Sequence, residues 1–249
     1  MRSLLHRIKP ANGISHVFYL GFVFILPVAV LLLVRLNFVQ LAFSIIVLSK
    51  WRMFAVRPRF WPANIRANAV DLMVGLSIVV FMTHSSGYMV QILWAIAYGV
   101  WLLVIKPASG LGWVTTQAFI GQFAALTALY LAWSAGPVYG LTLLTGLFCF
   151  LAARHFLDAY DEPYAKMLSY TWGYFGAALA WLVSHWLLFY GYIALPTLLL
   201  SALGYGLAVL YYLDHKDKLS KGLQRQIVFI MLAIVLVVLA FSDWGDKVI

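Results

Sequence analysis

The feature that constrains this chain most is a succession of nine apolar runs separated by short polar breaks. A helix that crosses a bilayer needs about 20 mainly apolar residues, so nine of them leave little of a 249-residue chain for anything but loops and tails. The pattern predicts an all-α integral membrane protein, a compact bundle of about nine transmembrane helices that forms a single polytopic domain over residues 1–249, without a soluble domain. The runs are 14–34, 36–49, 68–83, 88–105, 113–134, 138–153, 167–190, 192–213 and 226–242.

The composition excludes the main soluble classes. Hydrophobic residues make up 64% of the chain and charged residues 10%, against about 45–50% and about 25% in a typical soluble domain. A soluble enzyme, a disordered protein and a nucleic-acid-binding domain are therefore excluded, and we expect no nucleic-acid partner. The single cysteine, Cys149, lies inside an apolar run and cannot form an intrachain disulfide or a cysteine-rich metal site. We expect neither a metal nor a cofactor.

Lysine and arginine are concentrated in alternate loops. If the N-terminus is inside, only Arg35 and Lys247 fall outside. An excess of basic residues marks cytoplasmic loops, so the pattern predicts an inner N-terminus and an outer C-terminus in a bacterial-type inner (plasma) membrane. The net charge of +9 is then an orientation signal. The inner set is Arg2, Arg7, Lys9, Lys50, Arg52, Arg57, Arg59, Arg66, Lys106, Arg154, Lys166, Lys216, Lys218, Lys221 and Arg225.

The second run, 36–49, is short for a transmembrane span. It can be extended into Lys50, Trp51 and Arg52, whose polar heads can snorkel to the interface. If this run lay on the membrane surface instead of crossing, the basic N-terminal residues and the basic residues after position 49 would be on opposite sides of the membrane. The excess of basic residues on one side would then be smaller. We therefore predict a hairpin of two spans.

One inner segment, residues 50–71, interleaves cations with aromatic residues and two prolines. Arginine suits bidentate phosphate binding, and each basic residue near an anionic leaflet contributes about 1 kcal/mol. Pro62 suits the first turn of a helix, and a helix beginning there would align Asn64, Asn68, Asp71 and Gly75 on one face. Two interpretations stay open, an ordinary positive-inside loop and a site for a lipid-phosphate or polyprenyl-phosphate headgroup. The candidate residues are Lys50, Arg52, Arg57, Arg59, Asn64, Arg66, Asn68 and Asp71.

Asp71 is the acid placed deepest in a predicted span. A charge at the centre of a transmembrane helix costs about 2.5–3.5 kcal/mol on insertion scales, and less near its end. Such a residue is a functional candidate. The alternative is a carboxylate that complements the helix dipole near Arg52 or Arg66.

Two amides also lie within predicted spans, Gln91 and Gln122. An amide that faces lipid is costly, so Gln122 should face protein or water. It could form a helix–helix hydrogen bond or line an intramembrane polar path for a substrate, and Gln91 is its candidate partner. In the seventh run, small residues four apart, such as Ser169, Gly173 and Ala177, are typical of a close helix-packing face.

The acids Asp158, Asp161 and Glu162 lie between two spans. They could hold a magnesium ion together with a phosphate substrate. Alternatively, Asp161 is an N-cap, and its neighbours complement the positive end of the following helix.

The stretch Arg57-Pro58-Arg59-Phe60-Trp61 resembles the segment before the first span of intramembrane prenyltransferases, and Asp214, Asp217 and Gly222 are similar to that family's second aspartate motif. No Asn-Asp pair occurs in the chain, so the family's first motif is absent. The resemblance implies only an alternative function, a membrane-embedded transferase acting on lipid or polyprenyl phosphates.

Our leading prediction is a non-enzymatic, transporter-like protein that binds or passes a small or lipidic solute, with membrane lipids, in particular anionic ones, as partners. The transferase is the enzymatic alternative. A third is an accessory subunit that scaffolds a complex of membrane proteins. The sequence pattern leaves open whether the protein is an enzyme.

Overall fold

The computed structural model describes residues 13–185, 189–190 and 192–242. These residues are helical apart from one short antiparallel hairpin. The α-helices are α1 (Gly13–Arg35), α2 (Val39–Leu48), α3 (Trp61–Ala67), α4 (Ala69–Thr83), α5 (Tyr88–Val100), α6 (Leu111–Trp133), α7 (Val138–Ala159), α8 (Ala165–Ser184), α9 (Leu195–His215) and α10 (Lys221–Phe241). The hairpin strands are β1 (Phe189–Tyr190) and β2 (Ile193–Ala194). Short 3₁₀ helices cover Trp51–Met53 and Pro58–Phe60, and a π-helical turn, Trp101–Ile105, extends α5.

Five of these helices are long and apolar enough to cross a membrane, namely α5 with its π-turn, α6, α7, α9 and α10. The bent pair formed by α4 and the segment before it adds a sixth if it is counted as one span. The protein is therefore a multi-pass helical membrane protein, which confirms the predicted class. Nine crossings remain a prediction, because α2 has only ten residues and a helix of that length rises about 15 Å.

Short connections bring alternate helix ends together. We call the end formed by residues 49–71, 106–111, 154–166 and 211–225 the basic end. It is held together by ion pairs such as Lys106–Asp71 and Arg66–Asp158. Of the lysines and arginines in the part of the chain that the structure describes, all but Arg35 fall in these segments. The bundle is therefore strongly asymmetric in charge along its axis.

The run 68–83 corresponds to α4, but the helix that was considered from Pro62 past Gly75, to align Asn64, Asn68, Asp71 and Gly75, is broken, so that alignment is wrong. Helix α3 ends at Ala67 and α4 begins at Ala69, and the segments on either side of the junction are bent by 68°. Asn68 occupies the junction, and its Nδ2 donates a hydrogen bond to the backbone carbonyl of Asn64 at 2.9 Å. An asparagine side chain competes in this way for helix backbone groups. Asn64 and Asn68 consequently do not share a continuous helix face with Asp71.

Helices α7 and α8 approach each other through glycine. A Cβ atom added to Gly173 would lie 2.9 Å from the Cβ of Phe150 and 3.0 Å from the carbonyl oxygen of Gly146. A Cβ added to Gly176 would lie 2.7 Å from the Sγ of Cys149. The backbones can meet here only because both helices lack side chains at the contact. This confirms the predicted packing role of the small residues in this helix.

Candidate functional site

A buried ion cluster joins the basic ends of α2, α4 and α5. The Asp71 carboxylate in the first turn of α4 is buried and forms ion pairs with Lys50 and Lys106. Its Oδ2 lies 2.6 Å from the Nζ of Lys106. Its Oδ1 accepts a hydrogen bond of 2.9 Å from the indole Nε1 of Trp101. Three helices that are separate in sequence are thus tied to one carboxylate.

Two cations share one acid in this cluster, so it carries a net positive charge. The side chain of Lys50 is only 9% exposed. Burial lowers the pKa of the Lys50 ammonium, and the Asp71 carboxylate opposes that effect. One turn beyond Asp71, Gly75 leaves room for the buried hydroxyl of Tyr98, which has no hydrogen-bond partner among the described residues. The cluster accounts for why a charged side chain is tolerated at this depth, since buried charges need compensating partners.

One of the two interpretations of Asp71 placed it near Arg52 or Arg66, and the partners prove to be two lysines. Arg66 pairs instead with Asp158, and Arg52 is exposed. Lys106 was missed as a member of this site. Its position in the sequence could have indicated this role. Lys106 directly follows one apolar run and Lys50 directly follows another, so both lie at the same level of the membrane.

The rest of the predicted headgroup segment is folded and lies on the surface. Arg57 and Arg59 are exposed, and the guanidinium of Arg59 stacks over the ring of Phe60 at 4.5 Å. The indole of Trp61 donates to the carbonyl of Val56 at 3.0 Å. The segment therefore presents cations and aromatic rings on an ordered surface. Asn64 and Asn68 make backbone hydrogen bonds within it.

A second ion cluster lies at the same end of the bundle. Asp158 near the end of α7 pairs with Arg154 at 2.9 Å and with Arg66 of α3 at 3.7 Å. Glu162 accepts a hydrogen bond from the hydroxyl of Tyr211. Asp158 and Glu162 thus have different partners, and the described residues contain no group of three His, Cys, Asp or Glu side chains placed to hold a metal ion.

The N-cap interpretation of Asp161 is wrong. Helix α8 begins at Ala165 with Tyr164 as its N-cap, and Asp161 has a positive φ of 52°. The acid belongs to the turn between α7 and α8.

The structure does not join Gln91 to Gln122. The amide of Gln91 donates to the carbonyls of Met82 and Ser85, each at 3.1 Å, at the end of the bundle opposite the basic end. The amide of Gln122 donates to the carbonyl of Leu200 at 3.0 Å and accepts from the indole of Trp172 at 3.0 Å. Gln122 therefore bridges α6, α8 and α9. This agrees with a helix–helix hydrogen bond and gives no continuous polar path to Gln91.

An apolar cavity of about 530 Å³ lies in the half of α6–α9 nearer the basic end. Its sides include Ala118, Phe119, Phe156, Trp172, Leu207 and Ala208, and Met231 of α10 also contributes. On α8 and α9, Leu168, Phe175 and Leu207 line the cavity and are also 38–50% exposed. The cavity consequently opens sideways between these two helices, toward the region where lipid chains would lie.

An aromatic cluster closes the cavity at the basic end. The rings of Phe156, Tyr160 and Tyr211 pack with centroid separations of 4.6–5.6 Å, and the ring of His215 lies 5.2 Å from that of Tyr160. The hydroxyl of Tyr160 is 3.2 Å from that of Thr115. The hydroxyls of Tyr160 and Tyr211 thus have polar partners, Thr115 and Glu162, at the edge of an apolar space.

The fold and site define a class, a multi-pass helical membrane protein with a laterally open apolar cavity and, at its basic end, one buried and one partly exposed ion cluster. Comparison of the chain with known protein families, with curated proteins and with solved structures gives no match.

Proposed function

We propose that this protein binds a lipidic solute in the cavity between α6, α7, α8 and α9. The observation that carries the proposal is the cavity itself, whose volume of about 530 Å³ falls within the about 300–1,000 Å³ of typical ligand sites. Apolar side chains dominate its wall, and its opening faces sideways. A solute dissolved in the bilayer could enter without crossing water.

The polar groups of the cavity support an apolar ligand. Gln122 and Trp172 hydrogen-bond to each other, and Thr115 lies within hydrogen-bond distance of Tyr160. These groups are already satisfied, so a ligand that needs strong hydrogen bonds would gain little in the body of the cavity. A hydrocarbon chain, with its polar end near Tyr211 at the basic end, matches this distribution.

Filling the cavity should weaken ligand binding strongly. We expect Ala208→Trp to weaken the binding of cis-parinaric acid, a fluorescent fatty acid, by at least about tenfold, because the indole would occupy the space of the chain and overpacking is costly. Binding is measured by fluorescence titration of the purified protein in detergent. Ala178→Trp, an exposed position of α8 outside the cavity, is the matched control and should bind normally. Equal affinity of both variants would contradict the proposal.

Binding and passage are separated by a second measurement. In proteoliposomes, a carrier would accelerate the movement of a labelled fatty acid between leaflets, and Ala208→Trp would remove that acceleration. If binding is normal and no acceleration occurs, the protein is a binding protein only.

We further propose nine crossings with the N-terminus inside and the C-terminus outside in a bacterial-type inner membrane. The charge asymmetry of the bundle supports this orientation. A reporter fused after Ile249 should behave as exported, and one inserted between Lys216 and Lys221 as cytoplasmic. The two reporters must lie on opposite sides, because α10 separates them. A cytoplasmic C-terminus would contradict the nine-span topology.

A further inference from the structure

A second apolar groove, separate from the cavity described above, runs along α4 and α6. It has a volume of about 380 Å³. One end is formed by Ile65 and Ala69 near the basic end, and the other by Ala132 and Trp133 at the opposite end. Leu151 of α7 lines it as well. Its wall is almost wholly apolar, and it extends along the bundle axis as an acyl chain would.

Two arginines closely follow in the chain residues that line this groove, although they do not line it themselves. Arg66 directly follows Ile65, and Arg154 lies one turn beyond Leu151 on α7. Both pair with Asp158, so the cluster has one positive charge in excess. The Nε and Nη1 atoms of Arg154 are buried and have no hydrogen-bond partner among the residues that the structure describes.

Buried guanidinium donors without partners are unfavourable, because each has lost its hydration without compensation. Phosphate oxygens are acceptors that arginine binds well, through charge-assisted hydrogen bonds. The excess charge of the Arg66–Asp158–Arg154 cluster is complementary to one anionic group. The adjoining groove is complementary to a hydrocarbon chain.

We propose that this groove holds one chain of an anionic phospholipid, with its phosphate on Arg154 and Arg66. The site is distinct from the cavity of α6–α9 and does not depend on the function proposed for it. It also differs from the headgroup site predicted from residues 50–71, because its central residue is Arg154 of α7, and Lys50 and Asp71 are occupied with each other.

The test compares phosphatidylglycerol with phosphatidylcholine on the purified, delipidated protein. Native mass spectrometry gives the apparent affinity of each lipid. We expect the wild-type protein to prefer phosphatidylglycerol, and Arg154→Gln to reduce this preference by at least about tenfold, since it removes hydrogen bonds from a charged donor to the phosphate. Arg154→Lys retains the charge but loses the planar fork, and should fall between the two.

Three controls make the outcome decisive. Arg52→Gln removes an exposed cation at the same end and should leave the preference unchanged. Ala132→Phe narrows the far end of the groove and should lower the affinity for both lipids equally. Ala208→Trp blocks the other cavity and should leave phosphatidylglycerol binding intact, so a failure here is separable from a failure of the proposed function.

The proposal is overturned if Arg154→Gln and Arg154→Lys both keep the full preference, or if Arg52→Gln reduces it as much as Arg154→Gln does. Displacement of phosphatidylglycerol by inorganic phosphate at an equal concentration in the same mass-spectrometric assay would also overturn it, because the acyl chain would then contribute nothing to the affinity.

Discussion

Asp71→Asn is expected to lower the free energy of unfolding of the purified protein by about 3–5 kcal/mol, the cost of removing one partner from a buried ion pair. The change leaves the ammonium groups of Lys50 and Lys106 close together without a counter-charge. Insertion should be unaffected, because an amide costs no more to insert than a carboxylate. The measurement is thermal unfolding in detergent, alongside the amount of protein recovered in the membrane fraction.

A double variant tests whether the Asp71 carboxylate stabilises the protein by pairing with the lysines. Lys50→Met combined with Asp71→Asn removes the more buried ammonium as well, so it should recover part of the lost stability, and a double-mutant cycle gives the coupling energy. If Asp71→Asn unfolds at the wild-type temperature but loses fatty-acid binding, the carboxylate is a functional group and its role in holding the three helices is contradicted.

The second large effect is expected at the contact between α7 and α8. Gly173→Val should destabilise the protein by at least about 1–3 kcal/mol, the usual cost of overpacking, because the new side chain would meet the backbone oxygen of Gly146 and the Cβ of Phe150. Neither can move without separating the two helices. The unfolding temperature and the monodispersity of the purified protein in detergent measure the effect.

Gly173→Ala and Gly99→Ala form the matched pair for this prediction. Both replace a helical glycine by the best helix former, which favours the helix by about 1 kcal/mol. A Cβ at Gly99 has no heavy atom within 4 Å, so that variant should be neutral or slightly stabilised. Equal stability of the two alanine variants would show that the contact between α7 and α8 is not tight.

Several features of this protein were predictable from local pattern alone. Long apolar runs predicted α6, α7, α9 and α10 closely, because a transmembrane helix satisfies its own backbone hydrogen bonds and needs only apolar residues of sufficient number. The small residues of α8 predicted a packing face, because close backbone approach requires a missing side chain at each contact. The clustering of cations in alternate loops predicted a bundle with one basic end.

The break between α3 and α4 could not be predicted from the apolar pattern. Pro62 and the polar spacing to Asp71 favoured one continuous helix, and the helix in fact bends at Asn68. Helix α3 is exposed and α4 is buried, so the two helices pack in different environments. Residues three or four apart share a face only within one straight helix, and the spacing alone does not show whether the helix is straight.

Residues close together in the chain were enough to predict the membrane class, the helical runs and the charge asymmetry. The partners of Asp71, Gln122 and Arg154 depend instead on how the helices pack. These helices are apolar on nearly every side, so the pattern does not distinguish the face that packs from the face that meets lipid. The cavities and the ion clusters lie between helices distant in sequence, and the order of those helices in the bundle places Lys106 beside Asp71 and Trp172 beside Gln122.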